Sequence, residues 1–295
     1  MERKIEEGYM PFKGYKVYYR MVGERHEDKA PLLLIHGGPG STHNYFEVLD
    51  QLAETGHQII SYDQIGCGNS FVEGHPELFT LETWTEELEA LREYLHLDRV
   101  SLLGQSWGGM LVISYLIDRK PHGIVSAILS STLPASWLWA KEQHRLIRYM
   151  PQKEQDAIAK AEATGNFSDP AYIAADNHHT LLHVCDLDGD DRPECVRRPK
   201  RSGTESYLVA WGPNEYTPLG NLRDFDYTDR LGEIHTPTLI LSGTDDECTP
   251  YIAKTMNDGI PGSQWHLFWQ CRHMTFIDCH DEYCEVLSRW LKEHE

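Results

Sequence analysis

Residues 100–110 read VSLLGQSWGGM. The run Val100–Leu103 is apolar apart from Ser101, the pattern of a short strand buried on both faces of a parallel sheet. A glycine-framed serine follows, Gly104-Gln105-Ser106-Trp107-Gly108, with a further glycine at Gly109. From Trp107 to Ile117 the chain is again apolar, long enough for a helix packed against a sheet. A G-x-S-x-G sequence between strand and helix puts its serine on a strained tight turn, where the glycines let neighbouring backbones approach closely. The start of the helix favours negative charge developing beside it. The five-residue pattern alone is weak. Its place between strand and helix makes Ser106 a candidate nucleophile.

Outward from this unit, short apolar runs recur at Leu32–Ile35, Gln58–Tyr62, Ile124–Leu129, Thr238–Leu241 and Trp265–Trp269, and Tyr15–Val22 alternates like an early strand or hairpin arm. Helical spacing lies between them: Trp84, Leu88, Leu91 and Leu95 share one face, as do Tyr283, Val286, Leu287 and Trp290 near the end. Strand alternating with helix predicts an α/β fold, a mostly parallel, doubly wound sheet with helices on both faces. The alternation breaks between about Leu133 and Gly232. Helix-like pieces there (Trp137–Met150, Lys153–Ala163, Ala171–Leu182) are followed by a polar loop and a Gly/Pro/Asn segment. The expected organisation is a core of residues 1–132 and 233–295 with a helical cap at 133–232.

A serine nucleophile requires preorganised N–H donors for the oxyanion, a base, and a carboxylate to orient that base. One donor is the N–H of Trp107, the residue after the serine. The other belongs to the loop His36-Gly37-Gly38-Pro39-Gly40, directly after an apolar strand, with Gly38 preferred over Gly37. The expected chain order is serine, acid, histidine. Carboxylates follow the strand Thr238–Leu241 at Asp245, Asp246 and Glu247. His273 follows the next strand, and of 16 histidines it alone is both late in the chain and just past a terminal strand.

The chain carries 46 acidic against 27 basic residues, a net charge of −19, which disfavours nucleic acid and anionic lipid and favours cationic ligands. No apolar run approaches the about 18 residues of a membrane span, and the charged opening MERKIEEGY lacks the apolar core of a secretion signal. The expected setting is the cytoplasm. Seven cysteines, an odd number with loose pairs at Cys185/Cys195 and Cys279/Cys284, are read as reduced thiols.

Taken together, HGGPG at 36–40, DQIGCGNS at 63–70, GQSWGG at 104–109, GPNE at 212–215, the Gly243–Pro250 stretch and His273 resemble the proline iminopeptidase family of α/β-hydrolases, which includes related L-amino-acid amidases. The likeness runs from about Tyr9 to the end. It implies the α/β-hydrolase fold and removal of an N-terminal residue, often proline, from a small peptide or amino-acid amide. The family's G-x-x-D-x-x-x-P pattern falls on Gly243, Asp246 and Pro250, selecting Asp246 as the acid with Asp245 as runner-up. The resemblance further implies that Glu215 and Glu247 hold the substrate's free α-amine. No cofactor or metal is required, and nothing in the pattern sets an oligomeric state. The Asp186–Arg201 loop departs from the family. Trp137, Trp139, Trp211 and Tyr216 could line a pocket for the first side chain, and cap–core packing accounts equally well for the first two.

Two further patterns are not assigned to metal. Asp186, Asp188, Asp190 and Asp191 evoke a calcium loop, but Gly189 is misplaced and the closing glutamate is missing. His179 and His183 stand four apart without the intervening glutamate of a zinc helix. Arg197–Arg201 reads as a basic stretch balancing its acidic neighbour. An esterase or lactonase with the same triad is the rival function, and a small-molecule receptor on the same scaffold is the rival of a different class.

Overall fold

The structure, a computed structural model, describes residues 3–186, 189 and 192–295. The calcium-like positions Asp188, Asp190 and Asp191 lie outside the described residues. Eight strands form one sheet: β1 (Ile5–Phe12), β2 (Tyr15–Val22), β3 (Leu32–Ile35), β4 (Ile59–Tyr62), β5 (Val100–Gln105), β6 (Ile124–Ser130), β7 (Thr238–Gly243) and β8 (Gln264–Phe268). Their spatial order is β1-β2-β4-β3-β5-β6-β7-β8. The pairs β1/β2 and β2/β4 are antiparallel, and every later pair is parallel. The chain is thus an α/β protein with a hairpin at one edge of a parallel sheet.

The continuous apolar runs are explained by burial on both faces. Leu33 and Ile35 pack into one core, while Leu32 and Leu34 point into the other. That alternation is the two-residue period of a strand. On the first face lie α1 (Leu81–Tyr94), whose Trp84, Leu88 and Leu91 are buried, and α2 (Trp107–Ser114). Thr80 caps α1 by accepting the Thr83 N–H. Between β6 and β7 run α3 (Ser136–Ile147), α4 (Gln152–Thr164), α5 (Pro170–His183), α6 (Glu194–Arg197) and α7 (Thr204–Ala210); after β7 come α8 (Pro250–Gly259), α9 (Thr275–Asp278) and α10 (His280–Glu293). The second face is covered by α10 through Tyr283, Val286, Leu287 and Trp290, and by Tyr45, Phe46 and Leu49 of the 43–55 helical stretch. Each fully buried Leu, Ile or Phe contributes about 1.5–3 kcal/mol relative to exposure.

The apolar helix expected up to Ile117 keeps α-geometry only to Ser114, after which residues 115–119 form a wider turn. The last strand begins at Gln264 and ends before Trp269, which is 74% exposed. Strand β1 gave no clear periodic signal, because its first four residues are mostly exposed and only Met10 and Phe12 are buried. The reading of all cysteines as thiols is corrected at one pair. Cys271 and Cys279 are joined as a disulfide with Cα atoms 6.3 Å apart, while Cys185, Cys195 and Cys284 are free. The two bonded residues flank the turn that carries His273, a proximity set by tertiary structure rather than by their spacing. Among the described residues, no helix is long and apolar enough to cross a membrane.

Candidate active site

Ser106 is the residue between β5 and α2, with φ 55° and ψ −124°. This left-handed conformation is strained for a side-chain-bearing residue. It is held by dense backbone packing. A Cβ at Gly108 would collide with the carbonyl oxygen of Ile35, and one at Gly104 with the carbonyl of Gly108. Gly108 lets the turn press against β3 and Gly104 lets the end of β5 meet the start of α2, which explains the spacing around the serine. The first N–H groups of α2, starting with Trp107, lack carbonyl partners within the helix.

The loop after β3 lies against this turn. The Gly37 N–H donates to the Tyr45 hydroxyl at 2.6 Å, so it is already engaged, and Tyr45 donates in turn to Gln105 Oε1 at 2.8 Å. That leaves Gly38 facing the cavity beside Ser106. The 63–70 motif acts as a brace. Gln64 donates from Nε2 to the His36 carbonyl at 2.8 Å and accepts at Oε1 from Trp107 Nε1 at 2.7 Å. Asp63 accepts the His43 and Asn69 N–H groups, each at 2.8 Å.

The His36 ring is fully buried. Its Nε2 accepts the Gln64 N–H at 3.0 Å, and Nδ1 lies 2.9 Å from the Gly37 carbonyl, an arrangement for the neutral ring. Burial pulls its pKa down to about 4, against an opposing pull from Asp63. The unfolded ring takes a proton near 6.5 and the folded one near 4. The contribution of His36 to stability is therefore complete above about pH 6.5 and is lost as pH falls toward 4, by about 1.4 kcal/mol per pH unit. Buried Glu87, raised well above the carboxylate range by desolvation, titrates with the opposite sign. Accordingly, the stability advantage of wild type over His36→Gln is expected to shrink by about 3 kcal/mol from pH 6.5 to 4. Urea unfolding at a series of pH values measures it, and a constant difference would contradict the assignment.

His273 and Asp246 meet after β8 and β7. His273 Nδ1 is 2.9 Å from Asp246 Oδ1. The same carboxylate accepts the Cys248 N–H at 2.7 Å and the Gly243 N–H at 3.3 Å, and its side chain is fully buried. Asp245 does not take this place: its backbone N–H donates to the Cys271 carbonyl, and its own carbonyl faces His183 Nδ1 at 2.9 Å. The His273 N–H donates to the His183 carbonyl at 2.9 Å, and the edge of Trp139 packs on the His273 ring at 5.8 Å between centroids. The segment after β6 thus helps to fix the imidazole.

Ser106 and His273 line one cavity of about 380 Å³, together with Gly38, Glu215 and Glu247. Glu247 is 1% exposed, with Oε1 at 3.4 Å from His273 Nε2 and a buried Oε2 that has no hydrogen-bond partner among the described residues. Desolvation, then the charges of Glu215 and Asp246, push its pKa well above the usual range. Glu215 is raised by desolvation too, partly offset by the Tyr207 hydroxyl, which donates to Oε1 at 2.7 Å. Gln143 of α3 donates to the Glu247 carbonyl at 2.6 Å, and Trp139 Nε1 to the Glu215 carbonyl at 2.9 Å.

The aromatic lining expected from Trp137, Trp139, Trp211 and Tyr216 is corrected. None of the four lines the cavity, whose apolar wall comes from Pro39, Tyr45, Val184, Tyr207 and Met274. Trp137 is half exposed and bonded to Asp226, Trp211 is buried in the core, and Tyr216 packs with His144 and His179. Tyr45, Tyr207 and Gln143 went unnoticed in the sequence because each acts through only one or two hydrogen bonds and belongs to no spaced motif. His179 and His183 pack with ring centroids 5.1 Å apart and tilted at 56°, and among the described residues no group of His, Cys, Asp and Glu is arranged to hold a metal ion.

Residues 30–278 match the family described as alpha/beta hydrolase fold. A proline iminopeptidase of Lactobacillus helveticus is 59% identical over 294 residues, covering 99% of both chains. One from Clostridioides difficile is 56% identical over 292 residues, covering 99% of this chain and 100% of its own. The crystal structure of a Mycobacterium smegmatis proline iminopeptidase superposes with a TM-score of 0.87 at 30% identity, covering 98% of each chain. With near-complete coverage at such identity, this chain belongs to the proline iminopeptidase family of α/β-hydrolases.

Proposed function

We propose that the protein is a serine aminopeptidase that releases an N-terminal residue, proline foremost, from short peptides or amino-acid amides. Ser106 Oγ attacks the carbonyl of the first residue while its proton passes to His273 Nε2. The N–H groups of Gly38 and Trp107 receive the oxyanion, and Asp246 orients the imidazole and balances its positive charge. The proton then passes to the departing amine, leaving the first residue esterified to Ser106. Water, deprotonated by His273, hydrolyses that ester and restores the serine.

One observation carries the substrate assignment: two carboxylates in one desolvated cavity, one with a buried oxygen that lacks a partner among the described residues. Isolated, such groups are costly to bury. A substrate ammonium supplies the missing donors, and it seats the adjacent carbonyl at Ser106. An esterase or lactonase acting on uncharged acyl groups has no use for the pair. We further assign residues 133–232 as a helical cap on a core of 1–132 and 233–295, since α3–α7 all fall between β6 and β7 and Glu215, Tyr207 and Val184 line the cavity from that segment.

The test is a panel of aminoacyl p-nitroanilides with free and acetylated amines. Prolyl anilide is expected to be hydrolysed, and acetylation to lower kcat/KM by about 100-fold or more, since two charged hydrogen bonds of about 1.5–3 kcal/mol each are lost. Equal turnover of free and capped substrates overturns the assignment of the glutamates.

A further inference from the structure

The basic stretch at 197–201 contains four cations, and three of them are engaged. Arg197 donates from Nε to the Arg192 carbonyl at 2.9 Å. Arg198 pairs with Glu47 at 2.9 Å and with Glu194 at 2.6 Å. Arg201 stacks 3.3 Å over the Phe71 ring and approaches Glu73 at 3.9 Å. Lys200 differs. Its ammonium lies 6.0 Å from the Tyr45 ring centroid, and among the described residues it has no carboxylate partner. Lys200 lines the same cavity as Ser106, His273, Glu215 and Glu247, beside Gly38, Gly40 and Ser202.

Its place is fixed by the backbone on its C-terminal side. The Gly68 N–H donates to the Arg201 carbonyl at 2.7 Å, and the Gly203 N–H to the Gly40 carbonyl at 2.7 Å. Residues 201–203 are therefore tied to both glycine loops of the site, and the lysine side chain issues from a braced segment. Surrounding protein partly desolvates the amine and lowers its pKa, while the residue as a whole remains exposed. A cation left without a counter-ion in a chain of net charge −19 is a site for an anionic group.

We infer that Lys200 binds the C-terminal carboxylate of short peptide substrates, so that the cavity reads both ends of a dipeptide or tripeptide. The inference rests on the aminopeptidase assignment. A short peptide carries opposite charges at its termini, separated by at most about 3.3–3.6 Å per residue. The two glutamates take the ammonium end, and Lys200 takes the carboxylate of the departing segment. The lysine contributes an ion pair to the substrate and plays no part in the proton transfers.

Prolylglycine, its C-terminal amide and prolyl p-nitroanilide distinguish the outcomes. Wild type is expected to prefer the free acid over the amide by about tenfold in kcat/KM, chiefly through KM, with the preference falling as salt is raised. In Lys200→Met that ratio falls to about one because the free acid is lost, whereas Lys200→Arg retains most of it. A wild-type ratio near one overturns the inference while leaving the aminopeptidase assignment standing. So does a Lys200→Met variant that loses all three substrates alike. A wild-type protein inert toward every prolyl substrate overturns the aminopeptidase assignment itself.

Discussion

Replacing Ser106 with alanine is expected to lower kcat for prolyl p-nitroanilide by about 10⁴-fold or more, with almost no change in stability. Alanine keeps the Cβ and accepts the same strained backbone at φ 55°, so the fold has little to adjust to. What disappears is the hydroxyl that the proposed mechanism acylates. His273→Ala is expected to cost a similar factor, and the double variant little more than either alone, because nucleophile and base act as one unit. Asp246→Asn is expected to cost about 10⁴-fold, since an amide facing Nδ1 selects the wrong imidazole tautomer and cannot balance the cation. Steady-state kinetics beside thermal unfolding measure both halves. Residual activity within tenfold of wild type in Ser106→Ala, free of contaminating enzyme, would remove Ser106 from the chemistry.

Much of this site is legible in sequence because its chemistry sits where strands end. Gly104 and Gly108 must be glycine for backbones to touch, and that steric demand leaves a spaced pattern a reader can find. The acid and base follow β7 and β8 by the same logic, and the hydrogen bond between His273 and Asp246 joins residues 27 apart in sequence. Helices α4 and α5 were visible within about one residue at each end, and α3 within about one at its start and about three at its end, because each has an amphipathic or capped boundary. What sequence did not convey was contact across elements. Tyr207 meets Glu215 and Gln143 meets Glu247 through single bonds that leave no periodic trace. The tryptophans misled for a related reason. A large aromatic residue signals burial, and whether it faces a cavity or a core depends on how helices pack. Lys200 looked like one charge in a basic stretch balancing its acidic neighbour, and only the pairing of the adjacent arginines sets it apart.

Neutralising Glu247 as Glu247→Gln is expected to reduce kcat/KM for prolyl p-nitroanilide by about 100-fold, and Glu215→Gln by about tenfold to 100-fold. The larger effect falls on Glu247 because its Oε2 is buried without a hydrogen-bond partner among the described residues, whereas Glu215 already accepts the Tyr207 hydroxyl. Glu247 Oε1 also lies 3.4 Å from His273 Nε2, so the variant could act through the base instead. Hydrolysis of p-nitrophenyl acetate, which has no amine, separates these routes. Amine recognition predicts a loss confined to substrates with a free α-amine, and interference with His273 predicts a loss on the acetate too. The pH profile gives a second handle. Both carboxylates are raised by desolvation, and the charge of Glu215 raises Glu247 further, so as pH falls the pair is protonated before ordinary carboxylates. A protonated pair cannot hold an ammonium. Wild-type kcat/KM for the free-amine substrate should therefore fall toward acid at a higher pH than for the acetate, and Glu247→Gln should bring the two profiles together. If the profiles coincide in wild type, the glutamates do not read the amine through their charge.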